Sequence, residues 1–214
     1  MARYFNYFPK TNYTFDYKTK NITEVATNII SRYAFESSLK NNTLSFYDYS
    51  IRDSDTPEII AFKYYGNPER HWIVLMFNDI FDTQYDWPLN QQTLINFIDS
   101  KYTSNANTTA GQTGLEWAQS NTQAYTKTEK RTTNYSGNYI ESTVNVDAAT
   151  YANVVVGTSN VALKDGTAIT IETTKTTISY YDYELETNEA KRNIKLLKPE
   201  FAYTLEQELK AIFS

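Results

Sequence analysis

Residues 56–79, which read TPEIIAFKYYGNPERHWIVLMFND, contain the signals that decide the fold. Thr56 is a good N-cap, Pro57 fits the first helical position, and Glu58 lies in the first turn, where the helix dipole favours an anion. Gly66 readily takes the left-handed conformation that ends a helix. The stretch therefore predicts a short helix that starts after Thr56 and ends at Gly66.

The same order of cap, proline and acid recurs at Asn67-Pro68-Glu69 and predicts a second helix with almost no linker. This helix is expected to stop near Asn78-Asp79. It carries His71, Trp72, Leu75 and Met76 on one stripe. Two short helices joined in this way must fold back on each other.

Extended segments flank the two helices. Residues 47–51 alternate between apolar and polar side chains, which indicates a strand with one buried face. Residues 85–89 form a second short extended segment, whose Pro88 suits only an edge or a strand end. The order strand, helix, helix, strand is therefore predicted for residues 46–90. Asn90 caps a further predicted helix, whose apolar side comprises Leu94, Phe97, Ile98 and Tyr102.

The first 20 residues form an aromatic arm with little helical periodicity, which includes Tyr4, Phe5, Tyr7, Phe8, Tyr13, Phe15 and Tyr17. We expect such an arm to pack against the rest of the chain or against a partner, because contiguous apolar surface is seldom left in water. The high Tyr content suits protein contact surfaces and, equally well, a β-rich fold. Apolar residues spaced by three and four then predict a helix over residues 23–35.

The composition changes sharply after the helix that follows Asn90. Residues 103–114 (TSNANTTAGQTG) are small and polar and predict a linker or mobile loop. Thr-rich alternating segments follow, with expected turns at Ser136-Gly137, Gly157 and Asp165-Gly166. Antiparallel hairpins are therefore predicted. Their apolar positions are Val144, Val146, 154–156, Ile169, Ile171, Tyr181, Tyr183 and Leu185.

The C-terminal part combines a short extended run with an amphipathic helix. The extended run contains Ile194, Leu196 and Leu197, and the helix after Pro199 has an apolar stripe of Phe201, Leu205, Leu209, Ile212 and Phe213. The basic Lys191, Arg192, Lys195 and Lys198 directly follow the acidic Asp182, Glu184, Glu186 and Glu189. We expect these opposite charges to set register against a neighbouring strand or chain, an interaction that Lys195→Glu would disturb.

Composition excludes several function classes. The chain has 214 residues, no Cys, one His and a formal net charge of −5. The lack of Cys rules out disulfides, thiolate metal sites and a cysteine nucleophile. The acidic balance argues against nucleic acid or an anionic membrane as a partner. No apolar run is long enough for a signal peptide or a membrane span, so we expect a soluble, non-secreted protein.

Three groups of polar side chains are candidates for chemistry, namely the cluster Asn78, Asp79, Asp82 and Asp86, the single His71, and the pairs Glu184/Glu186 and Glu206/Glu208. The acidic cluster lacks the regular spacing of an EF-hand, and helix-end capping explains it as well. The histidine is expected in mid-helix beside Trp72, where packing is commoner than catalysis. The glutamate pairs are interpreted as solvated charges. The sequence thus predicts no catalytic residue, no metal, no cofactor and no small-molecule substrate.

Two motifs resemble a known family. The first consists of PEIIA (57–61), YYGN (64–67) and WIVLM (72–76) followed by Asn78-Asp79, and the second is NEAKRNIKLL (188–197). Both are similar to the baseplate wedge proteins with a LysM-like core of T-even-type contractile-tailed bacteriophages. The resemblance covers about 44–102 and 183–214, and residues 103–182 lie outside it.

The resemblance implies a structural role. A member of this family would complete each baseplate wedge and join neighbouring wedges into the ring beneath the tail. The implied partners are other baseplate wedge proteins and the sheath-initiator and central hub proteins. The implied location is the virion tail baseplate, after assembly in the host cytoplasm. The core motif comprises Pro57, Glu58, Ala61, Tyr65, Gly66, Asn67, Trp72, Leu75, Asn78, Asp79 and Trp87.

The predicted fold class is α+β, a small LysM-like βααβ core with an aromatic N-terminal arm, a β-hairpin-rich extension and a C-terminal strand plus helix. The predicted divisions are the arm and short helix (1–43), the LysM-like domain with the following helix (44–102), the extension (103–182) and the C-terminal strand and helix (183–214). The candidate interface contains Tyr4, Phe5, Tyr7, Phe8, Tyr13, Phe15, Arg192, Ile194, Lys195, Leu196 and Phe201. Deletion of residues 1–20 is expected to leave the core folded and to block assembly.

A peptidoglycan-binding LysM module of a tail or lysis protein is the alternative. Glycan-binding LysM modules usually have Gly-Asp-Thr before the first helix and Pro-Gly before the second strand, whereas Ser54 and Leu89 stand at those glycine positions here. Tyr85 and Trp87 are the candidates for an aromatic sugar groove, and a pull-down on purified cell wall distinguishes the two functions. An unrecognised hydrolase is a third reading, with candidate carboxylates Asp79, Asp82 and Glu58.

Overall fold

The structure is a computed structural model that describes residues 5, 8–18, 20–29, 34–35, 37–134, 137–164 and 166–213. The chain divides into two compact units. The first unit contains Met1–Asn90 and Glu189–Ser214, and the second contains Gln91–Asn188. Residues 91–102, which the sequence analysis groups with residues 44–90, lie in the second unit of this division.

The first unit contains two small antiparallel sheets and four α-helices in its described residues. Strands β1 (Lys10–Tyr17) and β2 (Lys20–Thr27) form one hairpin, and β3 (Phe46–Ser50) pairs with β8 (Asn193–Leu197). The helices are α1 (Ser37–Asn41), α2 (Pro57–Tyr65), α3 (His71–Phe77) and α8 (Pro199–Phe213), with a 3-10 turn at Pro68–Arg70 before α3.

The core of the first unit lies among α2, α3, α8 and the β3–β8 pair. Its buried side chains are Phe35, Phe46, Ile51, Ile60, Ala61, Tyr65, Trp72, Ile73, Val74, Phe77, Ile80, Ile194, Leu196, Leu197, Ala202, Leu205 and Leu209. The hydroxyl of Tyr65 donates to the carbonyl oxygen of Leu197 at 2.8 Å, so its polar end is satisfied inside the core. This bond also ties α2 to β8.

The second unit contains a four-stranded antiparallel sheet in the order β5-β4-β7-β6. Its strands are β4 (Thr122–Thr133), β5 (Tyr139–Val146), β6 (Gly157–Ala162) and β7 (Ala168–Ser179), and its helices are α4 (Gln91–Tyr102), α5 (Gly114–Ser120), α6 (Ala148–Asn153) and α7 (Tyr180–Ala190). The rings of Tyr102, Trp117 and Tyr180 stack or tilt against one another with centroids 5.0–5.5 Å apart. The mixed α+β class predicted from the sequence is therefore confirmed, as is a β-rich segment after residue 120.

The predicted helix over residues 23–35 is wrong where the structure describes it. Strand β2 continues to Thr27 in register with β1, while residues 30–33 lie outside the described part. Ile22 and Val25 lie on opposite faces of β2, so their spacing alone favours a helix, and the pairing with β1 makes the segment a strand.

The predicted strand at residues 85–89 is also wrong. Tyr85 and Asp86 donate their backbone N–H groups to the carbonyl oxygen of Asp82, at 3.2 and 2.7 Å, which makes this segment a turn. The strand that pairs with β3 comes from β8 instead. Sequence periodicity cannot reveal such a pairing, because its partners lie far apart in the chain.

The predicted strand around Tyr181, Tyr183 and Leu185 is helix α7. Its start is capped by Ser179, whose Oγ accepts from the backbone N–H of Asp182 at 3.0 Å and donates to its carboxylate at 2.7 Å. This Ser-x-x-Asp signature outweighs the apparent alternation of apolar and acidic side chains.

The predicted linker at residues 103–114 leads into a helix that the sequence analysis missed. Helix α5 begins with a complete capping box between Thr113 and Glu116. Gly114 lies so close to α4 that a Cβ atom there would stand 2.1 Å from the carbonyl oxygen of Asp99. Helix α6 was likewise not predicted, and residues 154–156 lie between α6 and β6 rather than in a strand. Among the described residues, no helix is long and apolar enough to cross a bilayer.

Candidate interaction surfaces

The capping signals of the core motif are formed as the sequence predicts. The hydroxyl of Thr56 accepts from the N–H of Ile59 at 3.3 Å, and Gly66 ends α2 with a φ of 69°. The side chain of Asn67 accepts from the N–H of Glu69 at 3.0 Å. These local bonds fix the turn between α2 and α3. They place Trp72, with only 4% of its surface exposed, in the core.

Asp55 forms a buried polar junction at the start of α2. Its side chain is fully covered and accepts from the hydroxyl of Tyr49 at 2.6 Å, the ammonium of Lys63 at 2.7 Å and the N–H of Arg52 at 3.1 Å. Burial acts to raise the pKa of Asp55, but these donors outweigh it and hold the pKa below its ordinary value of 3.8.

Asn78 joins α3 to strand β8. Its side-chain amide donates to the carbonyl oxygens of Val74 and Lys195, both at 2.8 Å, and accepts from the N–H of Lys195 at 2.8 Å. Asp79, with a φ of 56°, forms an ion pair with Lys40 at 2.5 Å. These two members of the predicted acidic cluster therefore have structural partners. The described residues contain no group of His, Cys, Asp and Glu suited to a metal ion.

Arg192 is a clamp between distant segments of the first unit. Its guanidinium pairs with Glu189 at 2.8 Å and with Asp53 at 2.6 Å, and it donates to the carbonyl oxygens of Ile51 and Leu89. The hydrogen bond to Glu189 is the chief reason that its pKa is raised, although burial acts in the opposite direction. This candidate interface residue therefore contributes to the internal structure of the unit.

The other C-terminal members of the candidate interface differ in exposure. Ile194 and Leu196 are 5% and 2% exposed in the chain's own core, so they offer no surface to a partner. Two residues apart on β8, both point to the same face of the strand, which faces the core. The ammonium of Lys195 lies 4.4 Å from the ring centre of Phe46. Phe201 is 36% exposed and borders a groove of about 450 Å³ beside Phe35, Leu39 and Leu205, two of which belong to the core.

One face of the β1–β2 hairpin, hereafter the hairpin face, carries the apolar side chains of Tyr13, Phe15, Ile22 and Ala26, with Glu24 directly opposite Tyr13. The register places Phe15 directly opposite Ile22, and the rings of Tyr13 and Phe15 lie 5.9 Å apart. Tyr13 is 60% exposed. Of the remaining aromatic arm, Phe5 is exposed and Phe8 is buried, while Tyr4 and Tyr7 lie outside the described residues.

Glu184 in the second unit contradicts the expectation of a solvated charge. It is 7% exposed and accepts from the ammonium of Lys101 at 2.6 Å and from the hydroxyl of Tyr102 at 2.7 Å. Burial, together with the bond to Glu184, raises the pKa of Tyr102. The signal that could have revealed this site is the spacing of Tyr180, Glu184 and Asn188, which lie on one face of α7 once it is recognised as a helix.

His71, Trp87 and Tyr85 were considered above for catalysis or for sugar binding. His71 begins α3 rather than lying in mid-helix, and its Nδ1 lies 3.0 Å from the carbonyl oxygen of Pro68. The indole of Trp87 is half-buried and donates to the carbonyl oxygen of Asp55 at 3.2 Å. Tyr85 is 63% exposed. Of the two rings considered for sugar binding, Tyr85 is therefore more accessible than Trp87.

Comparison with known proteins gives two matches. The profile of the family described as Base plate wedge protein 53 matches residues 3–205. Baseplate wedge protein gp53 of Enterobacteria phage T4 is 39% identical over 54 residues, which represent 25% of this chain and 28% of the T4 protein. The aligned part thus spans less than a third of that relative. Because the family profile extends over most of the sequence, this chain belongs to the Base plate wedge protein 53 family.

Proposed function

We propose that this chain is a structural component of a phage tail baseplate, in which it completes a wedge and joins neighbouring wedges into a ring. Family membership supports the baseplate role. The name of the T4 relative, a baseplate wedge protein, agrees with it. No catalytic activity is part of the proposal, and the comparisons give no support to the peptidoglycan-binding alternative.

The observation that carries the joining role is the hairpin face. An isolated two-stranded hairpin is at best marginally stable in water, and it needs further strands or a packing surface to persist. Among the described residues, β1 and β2 pair only with each other. The exposed ring of Tyr13 is the kind of large anchor that dominates protein interfaces. The partner of this face would be another baseplate wedge protein, with the sheath-initiator and hub proteins as further candidates.

The first unit also supports a LysM-like scaffold for this role. Helices α2 and α3 follow β3 directly, and β8 supplies the second strand of the pair. The order in space is then the predicted βααβ, with its last strand taken from the C-terminal motif instead of from residues 85–89. In this proposal the scaffold holds the interfaces and binds no glycan.

The experiment is complementation of a phage that lacks this chain. Tyr13→Lys places a charge on the hairpin face opposite Glu24, with which it can pair inside the hairpin, whereas Asn12→Lys places the same charge on the opposite face of the same strand. We expect Asn12→Lys to give normal tails and Tyr13→Lys to leave unjoined wedges in electron micrographs. Mass spectrometry of purified virions should show the chain in fixed ratio to the tail tube protein. Normal assembly with Tyr13→Lys would refute the joining role of the hairpin.

Deletion of residues 1–28 is a better test of the N-terminal arm than deletion of residues 1–20. Removal of residues 1–20 would delete β1 and leave β2 without a partner, which exposes a free strand edge prone to aggregation. Removal of residues 1–28 deletes the whole hairpin. We expect this shorter chain to keep the helical content of the first unit and to fail in tail assembly.

A further inference from the structure

Strand β5 is an unprotected sheet edge. In the described part of the chain it pairs only with β4, so its other side presents unpaired backbone groups. Residues 139–145 are all exposed, and the pairing with β4 runs without a bulge. The strand reads YIESTVNV, with one charged residue and no Pro. Edge strands of this length are normally protected by lysines, prolines or bulges, which indicates that β5 is covered by another chain.

The opposite edge of the same sheet provides an internal comparison. Strand β6 spans only Gly157–Ala162, and it begins with a glycine whose φ is 154°. A shorter edge that begins with glycine is a poorer template for strand addition, because glycine loses the most conformational freedom on pairing. Of the two edges, β5 is therefore the one suited to accept a strand.

The two faces of β5 define what can pair with it. Ile140 and Val144, which are 74% and 50% exposed, lie on either side of Ser142 on one face. They border a shallow hollow of about 310 Å³ that also contains Lys127, Glu129 and Arg131. The carboxylate of Glu129 pairs with Lys127 at 2.6 Å and with Arg131 at 2.8 Å, so the charges beside the edge are engaged within the sheet. The incoming strand must therefore offer small apolar residues here.

Strand β5 itself meets this requirement. When two copies run antiparallel about a two-fold axis at Ser142, Ile140 of each lies opposite Val144 of the other. On the second face Glu141 lies opposite Thr143, so the two carboxylates are not juxtaposed. A shift that centres the axis on Glu141 would place these carboxylates directly opposite each other. One register thus pairs the apolar side chains and avoids the like-charge contact.

We propose that β5 pairs with β5 of a second copy of this chain, antiparallel and centred on Ser142, to form a continuous eight-stranded sheet. This interface is self-complementary, as a two-fold dimer requires. It uses the second unit alone, so it is independent of the joining role proposed for the hairpin face.

Site-specific cross-linking tests both the pairing and its register. The chain has no cysteine, so a single Ser142→Cys substitution introduces a unique thiol. Directly opposed residues of an antiparallel pair have Cα atoms roughly 4.5–5.5 Å apart, within the range of a disulfide. The matched control is Ser159→Cys, an exposed serine on the same sheet face at the β6 edge. We expect Ser142→Cys to form a covalent dimer about tenfold or more faster than the control under mild oxidation. Equal rates would overturn the proposal.

Sedimentation equilibrium supplies the second measurement. The wild-type chain should show a dimer whose fraction rises with concentration. Val144→Lys should weaken it about tenfold or more, because two buried ammonium groups would replace the apolar pairs. Val161→Lys, on the same face at the β6 edge, should leave it unchanged. A wild-type chain that stays monomeric at all concentrations would overturn the proposal.

A third variant distinguishes the register. Thr143→Lys places an ammonium opposite Glu141 of the second copy and should tighten the dimer at low salt. A register centred on Thr143 would instead bring the two lysines together and weaken it. Weakening by Thr143→Lys would therefore refute the register centred on Ser142.

Discussion

The two units of this chain are stabilised in different ways. Among its described residues, the first unit buries 17 apolar side chains in one cluster, drawn from both ends of the sequence. In the second unit the four strands are rich in Thr, and Thr126 is the one described residue of these four strands that is buried. Side-chain packing therefore holds the first unit, whereas backbone ladders and local polar contacts hold the sheet of the second. The difference shows that one unit of a chain can depend on a compact apolar cluster while the other, which interrupts it in sequence, exposes most side chains of its strands.

The largest effect is expected from Trp72→Ala in the first unit. Trp72 lies in the core with 4% of its surface exposed, so the substitution leaves a cavity the surrounding helices cannot fill. We expect the free energy of unfolding of this unit to fall by about 3–5 kcal/mol. Urea unfolding followed by circular dichroism measures it. Phe81→Ala, at a residue that is 77% exposed, is the control and should change little. A loss below about 1 kcal/mol for Trp72→Ala would contradict the packing.

Asp55→Asn should have the next largest effect. The substitution keeps the shape but removes the charge that accepts from Lys63 and Tyr49 inside the unit. We expect a loss of about 1.5–3 kcal/mol at neutral pH. Because the folded pKa of Asp55 is lowered, its contribution is present above the ordinary pKa of 3.8 and disappears as the pH falls through the folded value. The difference between wild type and variant should shrink below that pH. If the difference in unfolding free energy between wild type and Asp55→Asn stayed constant down to strongly acidic pH, the idea that Asp55 is charged in the folded chain would be refuted.

Gly114→Ala probes the second unit. The added Cβ would lie 2.1 Å from the carbonyl oxygen of Asp99 and 2.7 Å from the nitrogen of Thr103, both of which are backbone atoms. Helix α5 must therefore move away from α4, at a cost of about 1–3 kcal/mol. Hydrogen exchange of the α5 amides measures the effect. Gly111→Ala is the control, because a Cβ there meets no atom within 4 Å and only the φ of 77° is strained. Unchanged protection in Gly114→Ala would show that α5 is not packed as described.

The smallest effect on stability is expected from Tyr13→Thr on the hairpin face. Tyr13 is 60% exposed, and Thr is well suited to a strand, so the free energy of unfolding should change by less than about 0.5 kcal/mol. The same variant should reduce tail assembly, because the ring is proposed to be buried by a partner. Loss of stability together with assembly would instead assign Tyr13 to the packing of the first unit itself.

The sequence predicts those parts of the fold whose signals are local. Thr56, Pro57 and Gly66 determine the ends of α2 within ten residues, and the pattern of α3 follows from the same kind of signal. The partner of β3 cannot be found in this way, since Phe46 pairs with Leu197 about 150 residues away. Helix α7 is missed because Tyr181 and Tyr183 also satisfy a two-residue period. The burial of Glu184 follows from that helix, so it is missed as well.

The candidate interface is also predicted only in part, because burial depends on contacts between distant residues. Its exposed N-terminal rings are aromatic residues with no evident core to join, and Tyr13 is indeed accessible in the structure. Ile194 and Leu196 have the same apolar character but are buried in the core of the first unit. Hydrophobicity alone identifies residues that will be buried. Whether the covering surface belongs to the same chain depends on tertiary contacts that a single sequence does not display.

The pairing of β3 with β8 has a consequence for protein synthesis. Because β8 and α8 complete the first hydrophobic cluster, that cluster cannot close on the ribosome until residues 193–209 have left the exit tunnel. The second unit, at residues 91–188, emerges earlier and contains the partners of its own sheet. Nascent chains that stall before residue 190 should therefore expose the apolar side chains of α2 and α3, which makes them substrates for chaperones and proteases.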